Sequence, residues 1–337
     1  MNLSYPVGKL PPAILASILA DAPLFDDRIR QGPGVGLDCA VVDGGEFYWV
    51  FKAEPITFAT DQIGWYAVQV ACNDIATTGA EPRFLLLTVL LPEGHTDENL
   101  VRSISAQVFT ACRQYHISVL GGHTEVTHGI DRPLLAVTMI GEVAKEKMVT
   151  PRGAQVGDIL LLTKGIPIEA TALIAREFPD RLKHILTPTE IDKAASYLND
   201  PGISILKDAL VAVKAGRVTA MHDPTEGGLS AALWELAQAS GRDIAFTPNS
   251  VAISTLSKRI CQAFKLDPYA SLASGALLLT VNPDDVDAVM SAFKKNEIAA
   301  SRIGVILEGS GKVLAAAGDQ VTEWPYPVRD EIGKMYE

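Results

Sequence analysis

The distribution of apolar and polar positions predicts a chain in which helices and strands follow one another in mixed order. Residues 97–115 place apolar side chains at helical spacing, with Leu100, Ile104 and Val108 on one face. Residues 159–163 form a short apolar run that is typical of a buried strand. By these criteria the predicted helices are 12–20, 65–78, 97–115, 167–178, 190–198, 203–215 and 225–240. The predicted strands are 39–42, 47–52, 84–91, 118–120, 133–143, 159–163, a strand running into 221–223, 276–281 and 299–307.

This mixture of elements favours an α+β fold over a doubly wound parallel sheet. At 337 residues the chain is long for one hydrophobic core, so two domains are expected. The turn-rich motif from Pro151 to Asp158 stands directly before the apolar run 159–163. We therefore predict a first domain over residues 1–149 and a second domain over residues 150–337.

Composition and charge exclude several classes of protein. The net charge of −11 argues against a nucleic-acid partner, because phosphate backbones require a basic face. No apolar run approaches the roughly 18 residues of a membrane span. The first residues lack a basic region followed by an apolar core, so no signal peptide is predicted and a cytoplasmic location is expected. The four cysteines show no C-x-x-C spacing, which favours buried thiols over a zinc ribbon or a disulfide framework.

A polar pair, Asn73-Asp74, interrupts the apolar run of the predicted helix 65–78. Polar groups on a core-facing helix cost free energy unless something binds them. A cation or a metal-bound phosphate is one possible partner, and hydrogen bonding to neighbouring backbone is the other. Both interpretations of this pair remain open on the sequence alone.

Glycines recur before an acidic residue in the segment Gly32 to Asp38, which reads G-x-G-x-G-x-D. A loop of this kind lets backbone N–H groups approach an anion, and Gly34 and Gly36 are the candidates. Asp38 after the loop is a candidate metal ligand. The segment leads into a strand, so it is not the dinucleotide-binding fingerprint, and a purely structural turn explains the glycines equally.

Polar residues also follow later apolar segments. Gly121, Gly122 and His123 come after the buried strand predicted at 118–120, at a position where ligands often bind in mixed sheets. His123 could hydrogen-bond a phosphate, ligate a metal together with Glu125, or be purely structural. Glu54, after the strand 47–52, is a candidate metal ligand.

The segment His222 to Gly228 joins a predicted strand to a predicted helix. Thr225 suits the N-cap of that helix, whose free N–H groups would face an anion, and Asp223 could hold a cation. Arg152, in the turn-rich motif, could bind a phosphate. Acidic or polar residues thus stand at the ends of five apolar segments, as expected for a multidentate magnesium–phosphate site.

Taken in order, these motifs resemble the aminoimidazole-ribonucleotide-synthase (PurM-like) superfamily, and within it the HypE-like hydrogenase-maturation proteins. The resemblance covers nearly the whole chain, from Gly8-Lys9-Leu10-Pro11 to the last strands. The motifs that carry it are Asn73-Asp74 to Pro82, Gly121-Gly122-x-Thr124, Arg152-Gly153-Ala154-x-x-Gly157-Asp158 and Asp223-Pro224-Thr225-x-Gly227-Gly228.

The resemblance implies a PurM-like two-domain fold in which strands of the N-terminal domain pair across a homodimer and a C-terminal α/β domain covers the nucleotide. It also implies ATP and Mg²⁺ as cofactors. Carried over by motif, the metal ligands are Asp38, Glu54, Asp74 and Asp223. The nucleotide-binding residues are Gly34, Gly36, Asn73, Gly121, Gly122, His123, Arg152 and Thr225, and Glu226 is the candidate catalytic base.

The chain departs from the family pattern at three places. The usual Gly-Asp-Asp is Gly36-Leu37-Asp38, and the usual Gly-Gly-Asp is Gly121-Gly122-His123. No cysteine follows Cys261, whereas HypE carries its carbamoyl group on a C-terminal cysteine. The sequence therefore predicts an ATP-dependent phosphotransferase or activating enzyme of the HypE-like branch whose small-molecule or peptide acceptor is unknown. The alternatives are a nucleotide-binding maturation or regulatory module without turnover, and a small-molecule kinase similar to thiamine-monophosphate kinase.

Overall fold

A computed structural model describes residues 10–56, 61–318 and 320–336. Gly8 and Lys9, which belong to a motif noted above, lie outside these described residues. Ten α-helices are found in this part of the chain: α1 (Pro12–Ala20), α2 (Ile63–Thr77), α3 (Glu98–Gln114), α4 (Ile168–Glu177), α5 (Pro179–Leu182), α6 (Pro188–Ala195), α7 (Leu206–Ala215), α8 (Gly228–Ser240), α9 (Thr255–Phe264) and α10 (Val286–Lys295).

Thirteen β-strands are found in the same described ranges. They are β1 (Ile29–Gln31), β2 (Ala40–Asp43), β3 (Phe47–Ile56), β4 (Glu81–Pro92), β5 (Ser118–Thr127), β6 (Leu134–Ala144), β7 (Ile159–Thr163), β8 (Val218–His222), β9 (Asp243–Phe246), β10 (Leu278–Val281), β11 (Ala300–Leu307), β12 (Val313–Ala317) and β13 (Gln320–Glu323). The predicted α+β class is confirmed. Among the described residues no helix combines the length and the apolarity needed to cross a lipid bilayer.

The chain forms two compact units that do not coincide with two continuous halves. The N-terminal unit consists of Phe25–Gly32 and Asp38–Met148. The C-terminal unit consists of residues 10–24, Pro33–Leu37 and the described chain from Val149 onward. The predicted boundary at 149/150 stands next to the observed change at Met148/Val149, but the earlier segments were assigned by sequence to the first domain. Residues 33–37 belong to the C-terminal unit because they pack against α8, as described below.

The N-terminal unit is a six-stranded sheet with the order β1-β2-β3-β6-β4-β5. Neighbouring strands are antiparallel except β4 and β5, which are parallel and are joined through α3. Helix α2 packs against β3, β6 and α3, and all of its residues except Trp65 are buried. The polar pair of α2 therefore lies in the core of this unit.

Strand β5 differs from the prediction in both length and burial. It was predicted as residues 118–120, but it continues to Thr127, so Gly121, Gly122 and His123 lie within the strand. The glycines permit this because a Cβ on Gly122 would stand 1.8 Å from the carbonyl oxygen of Leu87 on β4. No residue of β5 is buried, which corrects the expectation of a buried strand.

The C-terminal unit is a seven-stranded sheet with the order β13-β12-β9-β11-β7-β10-β8. One hydrophobic core joins α8 to the sheet through residues such as Leu229, Leu233 and Leu160. A second core joins α4, α6 and α9 and includes Ile332 and Met335 near the end of the described chain. Strands β9 and β12 were not predicted, because they are short and β12 is rich in alanine, a residue with low strand propensity.

Candidate functional site

The buried polar pair of the N-terminal unit contributes a carboxylate to a cluster with an ammonium group. The Nζ atom of Lys52 lies 3.0 Å from Oδ1 of Asp74 and 3.1 Å from Oε2 of Glu54. Lys52 and Glu54 stand two residues apart on β3, so both side chains project from the same face of the strand. The structure thus brings together two of the predicted metal ligands around a lysine that the sequence analysis did not single out.

Neighbouring carboxylates keep the side chain of Lys52 positively charged. Burial disfavours its charged form, but the carboxylates of Asp74, Glu54 and Asp38 outweigh that effect and hold the lysine pKa well above its ordinary value. Asp38 follows the glycine loop in sequence and belongs to this unit. Mg²⁺ prefers hard oxygen ligands such as carboxylates, so the residues present fit that ion. In this structure the ammonium of Lys52 bridges two of these carboxylates.

Hydrogen bonds fix the backbone around Asp74. Its carbonyl oxygen accepts a bond from the Thr77 hydroxyl at 2.7 Å and one from the Cys39 thiol at 3.3 Å. Asn73 is fully buried beside it. The carboxylate itself is paired with Lys52. Of the two interpretations left open for the polar pair, a cationic partner therefore applies to Asp74.

His123 lies in a different setting from the one expected. Its side chain is 64% exposed, and Nε2 lies 3.1 Å from Oε2 of Glu125 on the same strand. Gly121, Gly122, His123 and Phe109 of α3 line a surface cavity of about 220 Å³. A role of these three residues in nucleotide binding stays a prediction.

In the C-terminal unit the glycine loop and Arg152 lie side by side. A Cβ on Gly34 would stand 3.8 Å from an Nη atom of Arg152. Gly36 has a φ of +74°, and a Cβ there would stand 2.8 Å from the carbonyl oxygen of Glu235 on α8. Both the close approach and the positive φ require glycine at position 36. Three of the predicted nucleotide-binding residues are therefore assembled within one unit.

Arg152 is held by a tight turn against β8. It belongs to the 3₁₀ turn Pro151–Gly153, and a Cβ on Gly153 would stand 2.1 Å from the carbonyl oxygen of Thr219. The buried carboxylate of Asp158 accepts bonds from the Gln155 N–H at 2.8 Å and from the Thr219 hydroxyl at 2.5 Å. The turn-rich motif from Pro151 to Asp158 is thus a turn held by hydrogen bonds, and it positions the guanidinium of Arg152.

The end of β8 carries a buried histidine–glutamate pair. Nε2 of His222 lies 2.8 Å from Oε2 of Glu235, and both residues are buried. Asp223, also buried, follows His222 directly, with Oδ1 3.9 Å from Nδ1 of that histidine. The pair therefore fixes the strand end from which the predicted metal ligand Asp223 projects.

Thr225 is not the N-cap of α8, which corrects the sequence prediction. The helix begins at Gly228, and its N-cap is Gly227 with a φ of +79°. The N–H of Gly227 donates to Oδ2 of Asp330 at 2.7 Å, and the N–H of Ser230 donates to the carbonyl oxygen of Tyr269 at 2.9 Å. Groups of the protein itself therefore bind N–H donors that were expected to face an anion.

A buried carboxyl group, Glu169, and a half-buried one, Asp330, near this turn were also missed. Burial raises the pKa of Glu169 to about 8; a hydrogen bond from Ser274 opposes the shift, and the charges of Glu226, Asp330 and Asp223 add to it. Burial likewise raises the pKa of Asp330 to about 6. Glu226, the predicted base, thus lies in a strongly acidic environment. Glu169 could have been suspected from sequence, since an acid in the apolar stretch 166–175 is unusual.

Comparison with known proteins places these features in a family. The N-terminal domain of the AIR synthase related protein family matches residues 36–143, and its C-terminal domain matches residues 155–316. A Methanocaldococcus jannaschii protein assigned to hydrogenase expression and formation is 28% identical over 278 residues, covering 79% of this chain and 78% of that protein. Carbamoyl dehydratase HypE of Cupriavidus necator is 26% identical over 278 residues, covering 80% of this chain and 76% of that protein.

Solved structures show the same fold. HypE in its complex with HypF superposes with a TM-score of 0.75 at 21% identity, covering 94% of this chain and 100% of that one. HypE in complex with ATP superposes with a TM-score of 0.71 at 20% identity, covering 94% and 91%. A ThiL protein with AMPPCP and TMP superposes with a TM-score of 0.67 at 21% identity, covering 86% and 91%. With both domain matches and this shared two-domain fold, the chain belongs to the AIR synthase related (PurM-like) family.

Proposed function

We propose that this protein binds ATP together with Mg²⁺ and uses it to phosphorylate or activate an oxygen atom of a small-molecule or peptide acceptor. The observation that carries the proposal is the position of Arg152 beside the glycine loop at Gly34. A guanidinium binds phosphate oxygens through paired N–H donors, and a glycine loop lets backbone N–H groups approach the same anion. The HypE structure that contains ATP supports a nucleotide as the ligand.

Each predicted site residue has a role in this proposal. Bound magnesium would neutralise phosphate charge. Its proposed ligands are Asp38, Glu54 and Asp74 in the N-terminal unit and Asp223 in the C-terminal unit. Arg152, Gly34 and Gly36 bind phosphates. The remaining nucleotide contacts are Asn73, Gly121, Gly122, His123 and Thr225. Glu226 accepts the proton that the acceptor hydroxyl loses.

Most of the rate acceleration would come from positioning and electrostatics rather than from covalent chemistry. Phosphoryl transfer spreads negative charge over the equatorial oxygens, and a fixed guanidinium stabilises that charge at little reorganisation cost. The turn that holds Arg152 is braced by the bonds that Asp158 accepts. Removing the guanidinium is therefore expected to reduce turnover by about 10²-fold or more.

A second candidate function is a nucleotide-binding maturation or regulatory module that does not turn ATP over. The observation that favours it is the ammonium of Lys52, which already forms ion pairs with Glu54 and Asp74. A third candidate, a small-molecule kinase, is suggested by the ThiL structure with AMPPCP and TMP. In both alternatives the nucleotide-binding residues keep the roles proposed above.

Two measurements on the full chain separate these functions. Calorimetric titration with AMPPCP and Mg²⁺ tests binding, and release of ADP from ATP tests turnover with and without candidate acceptors. The proposed enzyme binds the analogue and releases ADP faster when an acceptor is present, whereas the regulatory module binds without turnover. Arg152→Met should lose most of the binding, and the control Arg242→Met, at a surface pair with Glu308, should not. Absence of binding by the wild type would overturn all three candidate functions.

A further inference from the structure

Lys52 is the feature of the N-terminal unit that the proposed function does not use. Its Nζ lies within 3.1 Å of both Glu54 and Asp74, and the side chains of the three residues are 18%, 19% and 5% exposed. A surface lysine gains little from such a pair, but here the ammonium is largely removed from water. The protein has therefore placed a fixed positive charge on two of its four proposed metal ligands.

The charge balance shows what this ammonium does to the cluster. Two carboxylates alone carry −2, and with Lys52 the group carries −1, while Asp38 contributes a further negative charge to the field at Lys52. An ammonium supplies three donors and no acceptor, so it satisfies carboxylate oxygens in the way a metal ion would. A divalent ion and the ammonium cannot both be close to the same oxygens without strong repulsion.

We propose that Lys52 is the resident cation of the N-terminal unit: its ammonium holds the position between Glu54 and Asp74, and a divalent ion binds these carboxylates only after the ammonium has turned toward another anion. This deepens the proposed function and rests on it for the identity of that anion, a nucleotide phosphate. The flexible four-carbon stem of lysine permits such a movement without a change in the strand.

The proposal gives metal and nucleotide binding a definite order. Without nucleotide, the ammonium of Lys52 offsets part of the negative charge of Glu54 and Asp74, and free divalent ions bind there weakly. When phosphate attracts the ammonium, the two carboxylates become available to the ion. By thermodynamic linkage, metal and nucleotide then each increase the affinity for the other by the same factor. A permanent structural ion pair would produce no such coupling at these residues.

The test uses the nucleotide-free full chain and Mn²⁺ alone, with free Mn²⁺ followed by electron paramagnetic resonance. Lys52→Met removes the charge and keeps a side chain of similar length. We expect it to bind one Mn²⁺ at least about tenfold more tightly than the wild type, because a charge pair at this distance is worth more than that factor. Lys52→Arg keeps the charge and should bind as weakly as the wild type.

Lys164→Met is the matched control. Lys164 is also a lysine with a largely buried side chain, and its Nζ lies 3.3 Å from the carboxylate of Asp208, but it belongs to the C-terminal unit. Its replacement should leave Mn²⁺ affinity unchanged. Adding Asp74→Asn to Lys52→Met should abolish the gain, which assigns the bound ion to this cluster.

The outcomes distinguish this inference from the proposed function. Equal Mn²⁺ affinity in folded Lys52→Met and wild type would overturn the inference, whatever the protein does with ATP. If Lys52→Met melts too early to titrate, its melting temperature is measured with and without Mn²⁺. A rise on adding Mn²⁺ that the wild type lacks supports the inference, and no rise overturns it. Absence of ATP hydrolysis would bear on the proposed function alone.

Discussion

Nε2 of His222 lies 2.8 Å from Oε2 of Glu235, and the pair joins the end of β8 to the middle of α8 inside the C-terminal unit. A buried polar pair of this kind contributes little net free energy when intact, but removing one partner leaves the other in a poor environment. The pair therefore makes the position of Asp223 sensitive to a residue that follows it by twelve positions in the sequence.

Glu235→Ala should lower the free energy of unfolding by about 2 to 3 kcal/mol, because it removes the acceptor bound to His222 Nε2. Urea denaturation followed by circular dichroism measures this change. Glu308→Ala serves as the control, since Glu308 is 78% exposed in its pair with Arg242 and should change stability by less than about 0.5 kcal/mol. Equal stability of the two variants would show that the buried pair has no such role.

Glu169 should make stability decrease as pH rises. Burial raises its pKa from 4.5 to about 8, so the folded chain binds this proton more tightly than the unfolded chain does. The protonated Glu169 carboxyl therefore makes its full contribution to the free energy of unfolding at acidic pH. This contribution is lost progressively as pH rises to about 8.

Glu169→Gln should remove this decrease, and the effect is read above pH about 6, where Asp330 has already titrated. Above pH about 8 the variant should be more stable than the wild type by about 1 to 3 kcal/mol. Urea denaturation across this range in excess chelator measures the slope, and Glu308→Gln is the exposed control. An unchanged slope in Glu169→Gln would contradict the assignment.

Nucleotide binding should require a divalent ion, because the carboxylates of Asp38, Glu54, Asp74 and Asp223 would otherwise repel the phosphates. Calorimetric titration with AMPPCP should show binding with Mg²⁺ and none in excess chelator. Asp74→Asn should weaken the Mg²⁺-dependent binding by about tenfold or more.

The control for that experiment has to be chosen from the structure. Asp43 is unsuitable because its carboxylate binds Lys145 at 2.7 Å and Arg30 at 2.9 Å. Asp131 is 95% exposed in the same unit, so Asp131→Asn is the better control and should bind as the wild type does. Undiminished affinity in chelator would refute the requirement for metal.

The exposed strand β5 should be an interface between two copies of the chain. It is an edge strand with no buried residue, yet it carries Val119, Leu120 and Val126, and such edges usually pair. We expect sedimentation at micromolar concentration to give a dimer of the 36.0 kDa chain. Val126→Asp should shift the protein to monomer, whereas Val328→Asp, at a 98% exposed valine of the other unit, should not. A monomeric wild type would refute the dimer.

The spacing of apolar residues predicted many helices and strands, because this spacing depends directly on which side chains are buried. Helix α1 and strand β7 have the predicted bounds, and the predicted α3 differs by one residue at each end. The extent of β5 could not be predicted, since glycines usually interrupt strands and only the neighbouring Leu87 carbonyl explains Gly122. The start of α8 was missed because Thr225 is a good N-cap residue, whereas the observed cap depends on a positive φ at Gly227.

For the candidate site, the sequence likewise predicted the residue types but not the contacts between residues that are distant along the chain. Carboxylates at the ends of apolar segments were visible in the sequence, and Asp74 and Glu54 do lie around one cation. The spacing of Lys52 and Glu54 along β3 could have indicated a shared face. That Asp74 meets them, or that Asp330 reaches Gly227 from more than 100 residues away, depends on how the chain folds.

The glycine loop has a consequence for how this protein can change during evolution. Residues 33–37 belong with α8 and Arg152, although more than 100 residues separate them from that part of the chain. A recombination event between Met148 and Val149 would join a C-terminal half to a glycine loop selected against a different helix. Because a side chain at position 36 would collide with the Glu235 carbonyl, mismatched loops would be poorly accommodated. The two halves are therefore expected to be inherited together and to diverge as a pair.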